Sequence, residues 1–94
     1  TKIMKEKKVK IKSDAGVHAR PASILVREAM KFPCDIYLIK GQMEANGKSI
    51  MSVLGLAITK GSFLTIRADG EMEEEAVNRL SALIENDFAE LASK

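Results

Sequence analysis

Along this chain the hydrophobic period switches between about two and about 3.6 residues and holds neither for long. Val9 and Ile11 alternate with Lys8, Lys10 and Lys12, so residues 7–13 read as a half-buried strand with a lysine face in water. Asp14-Ala15-Gly16-Val17 forms a turn. Ala22, Leu25, Val26, Ala29 and Met30 then supply the apolar stripe of an amphipathic helix. That helix is expected to start near His18, with Pro21 in its first turn, where a missing N–H breaks no bond, and to stop at Pro33. A strand is expected over 35–40, a turn at Gly41 and a short strand near 42–46. Asn46-Gly47-Lys48-Ser49 leads as a loop into a short helix near 50–56. Gly61 closes the next loop, and Phe63–Ala68 is a strand with Leu64, Ile66 and Ala68 on one face. The last helix follows Asp69-Gly70-Glu71-Met72 and buries Ala76, Val77, Leu80, Leu83, Ile84, Phe88 and Leu91. Glu71, Glu73, Glu74 and Glu75 sit where negative charge favours a helix start.

This order puts helices on one face of a four-stranded sheet and leaves the other face in water, an α+β open-faced sandwich. Periodicity does not set the order of strands within the sheet. The 94 residues suit a single domain, 1–94, with residues 1–5 expected to fray. A domain of this size buries roughly 60–70% of the surface its unfolded chain exposes. One modest core is within reach, but not a deep enclosed active site as well, so carrier and interaction roles outweigh complex catalysis. No apolar run approaches the ~20 residues of a membrane span. No leader pattern is present either, so a cytoplasmic location without membrane insertion is expected. Cys34, the single cysteine, has no partner for an intramolecular disulfide, which fits a reducing compartment.

Net charge is +2, but it is unevenly spread. Six lysines and one acid, Glu6, occupy the first twelve residues; from Asp69 to Glu90 there are eight acids and one base, Arg79. The lysine run invites a nucleic-acid reading. A solvated strand face accounts for it, and no aromatic side chain lies beside it for stacking. With one Tyr, three Phe and no Trp, nucleic-acid binding is not expected.

His18 is the only histidine. It sits where unpaired backbone N–H groups at a helix start make a ready anion site. Arg20 adds a permanent cation whose forked donors suit phosphate. A neutral imidazole, with an unperturbed pKa of about 6.5, is a competent nucleophile near neutral pH. Together these groups describe a place to hold a covalent phosphoryl group; the bland alternative is a capped helix with an incidental His and Arg. A stand-alone histidine enzyme does not fit, because no paired base, metal-ligand cluster or second nucleophile accompanies His18.

Gly16-Val17-His18-Ala19-Arg20-Pro21-Ala22 resembles the active-site motif of the HPr family, the histidine-containing phosphocarriers. Lys48-Ser49-Ile50-Met51 resembles that family's second signature, a regulatory serine and its adjoining apolar patch, at the family's spacing. The resemblance runs from about Val9 through the last helix. It implies an open-faced β-sandwich whose antiparallel sheet is ordered first, fourth, second, third, with three helices on one face. It also implies a carrier, not an enzyme, that receives phosphoryl from Enzyme I and passes it to Enzyme IIA domains in sugar uptake. Nδ1 of His18 is then the acceptor, Arg20 meets the phosphoryl group, and the N–H groups of Ala19 and Arg20 take phosphate oxygens. Neither a metal nor a diffusible cofactor is implied, and a monomer is expected. Many family members have Ser or Asn where this chain has Ala15, which removes a cap or hydrogen bond worth on the order of 0.5–2 kcal/mol.

Ser49 reads as a helix-capping serine and, through the resemblance, as a target of HPr kinase/phosphorylase whose phosphorylated form meets a catabolite-control transcription regulator. Ile50, Met51 and Leu54 are expected to form an exposed docking patch, since Met packs adaptably against different partners. Arg27 and Lys48 form its basic rim toward acidic partners, with a weaker contribution from Lys31. The alternative is a regulatory or nitrogen-branch HPr paralogue acting mainly as a protein-binding effector. Some relatives of that kind lack the histidine, which this chain has.

Overall fold

The computed structural model describes residues 5–12 and 19–86. Four strands, β1 (Lys5–Lys10), β2 (Asp35–Lys40), β3 (Met43–Asn46) and β4 (Phe63–Asp69), alternate with three helices, α1 (Ala19–Ala29), α2 (Ile50–Leu54) and α3 (Glu73–Glu85). Every paired neighbour is antiparallel, and the sheet order is β1-β4-β2-β3. β1 begins at Lys5, which pairs with Ala68, two residues before the strand start expected from alternation. Ile11 stays tied to the loop before β4: its N–H donates to the Ser62 carbonyl at 2.9 Å, and its carbonyl accepts from Gly61 at 2.8 Å.

Register decides which face each residue takes. Val9 lies opposite Leu64, Leu38 opposite Ile66 and Ile36 opposite Ala68. These six are buried and face the helices. Ala22, Leu25, Val26 and Ala29 of α1, with Ala76, Val77, Leu80, Leu83 and Ile84 of α3, close the core over them. Alternation sends Lys8, Lys10, Phe63, Thr65, Arg67, Tyr37 and Ile39 to the opposite face, which no helix covers.

Met30 departs from the expected stripe: it is 66% exposed. It follows the last residue of α1 and is turned about 100° from Ala29. α2 stops at Leu54, short of residue 56; Leu56 is buried just beyond it, through loop packing. Phe88 and Leu91 lie outside the described residues. α3 starts without a capping hydroxyl. Met72 takes a left-handed φ of 66°, and the buried Glu73 carboxylate reaches back to accept the Gly70 N–H at 2.8 Å.

Composition gives no sign of a charge cluster that joins α1 to α3. Glu28, 5% exposed, accepts from Lys31 Nζ at 2.9 Å and from Arg79 Nε at 3.1 Å. Burial pushes the Glu28 carboxyl up, but the hydrogen bonds and charges of Lys31 and Arg79 outweigh it and hold the carboxyl below its ordinary value of 4.5. A group lowered on folding stabilises the native state above its unfolded pKa, and that contribution is lost as pH falls through the folded pKa. Glu28→Gln should therefore cost roughly 1–2 kcal/mol at pH 7 and progressively less below about pH 4.5. Thermal melts of both proteins at pH 7, 5 and 3.5 check this; parallel losses on acidification would remove Glu28 from the acid response.

Candidate functional site

Ala19 and Arg20 open α1, directly after His18 in the chain. His18 and residues 13–17, which include the turn expected at Asp14–Val17, lie outside the described residues. Arg20 is exposed, and the first turn of α1 holds no acidic residue to repel an anion or pair with the guanidinium. Ala22 anchors this turn in the core with no exposed surface, so the helix start is held from beneath while Arg20 stays in water. The free N–H groups of a first helical turn, beside a positive side chain, suit a phosphate.

Ser49 is the N-cap of α2, with φ −126° and ψ 116°. Its Oγ accepts from the Ser52 N–H at 3.3 Å, and its carbonyl accepts from Val53 at 3.0 Å. The loop before it leaves no room for a side chain at Gly47: a Cβ there would come within 2.6 Å of the Ile36 Cγ2 methyl. The Gly47 N–H also donates to the Ile36 carbonyl at 2.7 Å, so a core strand positions the serine.

α2 divides its apolar residues. Val53 is fully buried and Leu54 packs partly against the core, whereas Ile50 is 40% and Met51 78% exposed. The three expected patch residues are thus brought together on one short helix, with Leu54 at its base. Of the basic rim, Arg27 is exposed in the last turn of α1. Lys48 is pinned: its ammonium donates to the Phe32 carbonyl at 2.7 Å, clamping the end of the α1 segment to the loop that carries Ser49. Lys31 is engaged with Glu28. Sequence spacing gave no signal for the Lys48 contact, which depends on packing between elements, whereas Lys31 and Glu28 stand three residues apart at the end of one helix. Among the described residues no group of three His, Cys, Asp or Glu side chains converges to hold a metal. No helix there is long and apolar enough to cross a membrane.

The family model described as "PTS HPr component phosphorylation site" matches residues 5–86. This chain belongs to the HPr family. It is 44% identical over 81 residues to phosphocarrier protein HPr of Haemophilus influenzae, covering 86% of this chain and 95% of that one. It is 38% identical over 84 residues to the HPr-like protein Crh of Bacillus subtilis, covering 89% and 99%. A crystal structure of HPr from Thermoanaerobacter tengcongensis superposes with a TM-score of 0.86 at 40% identity, over 89% of this chain and 94% of that one. The HPr fold, an open-faced sandwich with a four-stranded antiparallel sheet and three helices, is the one seen here. Membership places the chain among the phosphocarriers of the phosphotransferase system that serves sugar transport.

Proposed function

We propose that this HPr-family chain carries a phosphoryl group on His18, taking it from Enzyme I and passing it to Enzyme IIA domains. The unbroken family match across residues 5–86, through the Gly16–Ala22 motif, carries this reading. The Nδ1 lone pair of His18 attacks phosphorus as the donor's bond to phosphorus breaks; onward transfer reverses these roles on the next acceptor. The N–H groups of Ala19 and Arg20 hold phosphoryl oxygens, and the Arg20 guanidinium meets charge as it redistributes. Incubation with phosphoenolpyruvate and Enzyme I, followed by intact mass and site mapping, should give one acid-labile phosphoryl group on His18. An unmodified chain would refute the carrier reading. The similarity to Crh favours a second reading, a regulatory effector modified on Ser49 alone. In the same experiment that protein would stay unphosphorylated with Enzyme I yet accept phosphate from HPr kinase/phosphorylase.

Ile50, Met51 and Leu54 dock partners, with Arg27 and the half-buried Lys48 at their rim. Lys48 acts there chiefly by holding the loop, since its ammonium is already engaged. Met51→Glu should weaken Enzyme I binding at least tenfold and shift the thermal midpoint little, because a 78% exposed side chain supports no core. A variant that mainly unfolds would make Met51 a core residue.

Ser49 acts as an electrostatic switch. A phosphate there adds about −1.5 to −2 charges beside the docking patch, with an adverse field and desolvation cost for an acidic partner. The same charge suits a partner with a cationic pocket, such as a catabolite-control transcription regulator. Ser49→Asp should slow phosphorylation of His18, more at low salt than at high salt, with little change in circular dichroism. Screening makes the comparison sharp, because the reach of charge falls from about 30 Å at 0.01 M to about 8 Å at 0.15 M. An unchanged rate at low salt would eliminate the switch, and an effect independent of salt would assign it to capping or sterics.

A further inference from the structure

We propose that the open face of the sheet binds single-stranded nucleic acid, with Phe63 stacking on a base and Lys8 and Lys10 holding the adjoining phosphates. In sequence the lysine strand has no aromatic neighbour. The β1–β4 register supplies one by placing Lys10 opposite Phe63 and Lys8 opposite Thr65. The two ammonium groups sit over the Phe63 ring, 5.8 and 5.5 Å from its centroid, so a base that stacks there takes their place and moves them to its phosphates. The ring is 55% exposed on a face that no helix covers. A depression of about 480 Å³ runs beside it along Lys8, Ile39, Gly41, Ser62 and Thr65.

Tyr37, half-buried on the same face, lies opposite Arg67, four positions along β4 from Phe63. At about 3.3 Å per residue it offers a second platform some ~13 Å along the sheet. Base stacking on such rings tolerates any sequence, and lysines beside them track the phosphate backbone.

The lysines gather at the Phe63 end of the open face; of the acids on that face, Asp35 and Asp69 lie opposite each other at the far end and Glu44 stands opposite Ile39. The exposed acids Glu74 and Glu75 lie on α3, in the helical layer behind the sheet. Glu6, the acid of β1, is held by Arg67 at 2.6 Å. The ammonium of Lys40 is turned to the Leu56 and Ala57 carbonyls and takes no part. Lys8, Lys10 and Lys12 therefore present exposed positive charge at the Phe63 end of the sheet. A depression floored by Ile39 and rimmed by Ser62, Thr65 and an aromatic ring fits a flat base with polar edges. An acidic peptide would meet the lysines but leave the depression empty, and an anionic membrane would require a protruding apolar wedge.

The test is fluorescence anisotropy of a labelled oligouridine of about ten nucleotides with the full chain, across a range of salt. Single strands give a log–log salt slope of about −0.7 per neutralised phosphate, so Lys8 and Lys10 should account for about −1.4 of it. Lys8→Gln with Lys10→Gln should remove that share. Phe63→Ala should weaken binding roughly tenfold, and Phe63→Tyr should retain it. Should the alanine variant fail to fold, Phe63→Leu keeps an apolar side chain without a stacking ring and should show the same loss. Lys5→Gln with Lys7→Gln alters the other side of β1, because those residues pair with Ala68 and Ile66 of the helix-covered face; it should leave the Phe63 effect intact and weaken binding less. No binding at low salt would overturn the proposal, as would equal losses from the two lysine pairs or full affinity without the ring. Phe63-dependent binding to phosphatidylserine vesicles in place of the oligonucleotide would overturn it too, in favour of a membrane surface.

Discussion

His18→Ala is expected to fold like the parent and to take no phosphoryl group from Enzyme I. Removing the chain's only imidazole removes the nucleophile itself, so the loss should be complete and not graded. The core that α1 closes is built from Ala22, Leu25, Val26 and Ala29, all of which the variant keeps, so circular dichroism and the thermal midpoint should stay close to the parent's. A phosphoramidate is acid-labile and alkali-stable, whereas a serine phosphoester survives acid. Treating the parent adduct with acid and with alkali before mass analysis therefore separates modification of His18 from modification of Ser49. Full phosphorylation of the alanine variant at another residue would remove His18 from the acceptor role.

Arg20→Ala carries the second large effect. The side chain is exposed on the first turn of α1 and is no part of the apolar core. Surface substitutions of this kind usually change stability by less than about 0.5 kcal/mol. Loss of one preorganised charge-stabilising donor, by contrast, slows transfer by roughly 10²–10³-fold. The expected signature is a large fall in transfer rate beside an almost unmoved thermal midpoint. Arg20→Lys should recover part of the rate, because it restores the charge but not the planar fork that binds two oxygens at once. Rapid-quench measurement of phosphoryl transfer from Enzyme I gives all three rates. Equal rates for Arg20→Ala and the parent would leave the arginine without a role in the chemistry.

The local readings were legible because they rest on short-range rules. Alternation at Val9 and Ile11, the stripe from Ala22 to Ala29, the glycine turn at Gly41 and the stripe from Ala76 to Ile84 each reflect geometry within one element. The motif around His18 and Arg20 is contiguous, so the family was readable in one dimension, as was the capping place of Ser49. Contacts between elements were not. Met30 looks like stripe and stands in water, because the helix ends one residue before it. Lys48 looks like a free rim charge and is spent on the Phe32 carbonyl. Glu28 finds Arg79 only where α1 crosses α3. The lysine strand acquires Phe63 only because β4 pairs beside β1, a pairing of segments far apart in the chain. Sequence by itself determined the elements, their buried faces and the family motif, since period and spacing act over a few residues. Tertiary structure alone decided strand order, charge pairing and which exposed groups share a surface, since those depend on long-range register and on the packing of helices over one sheet face.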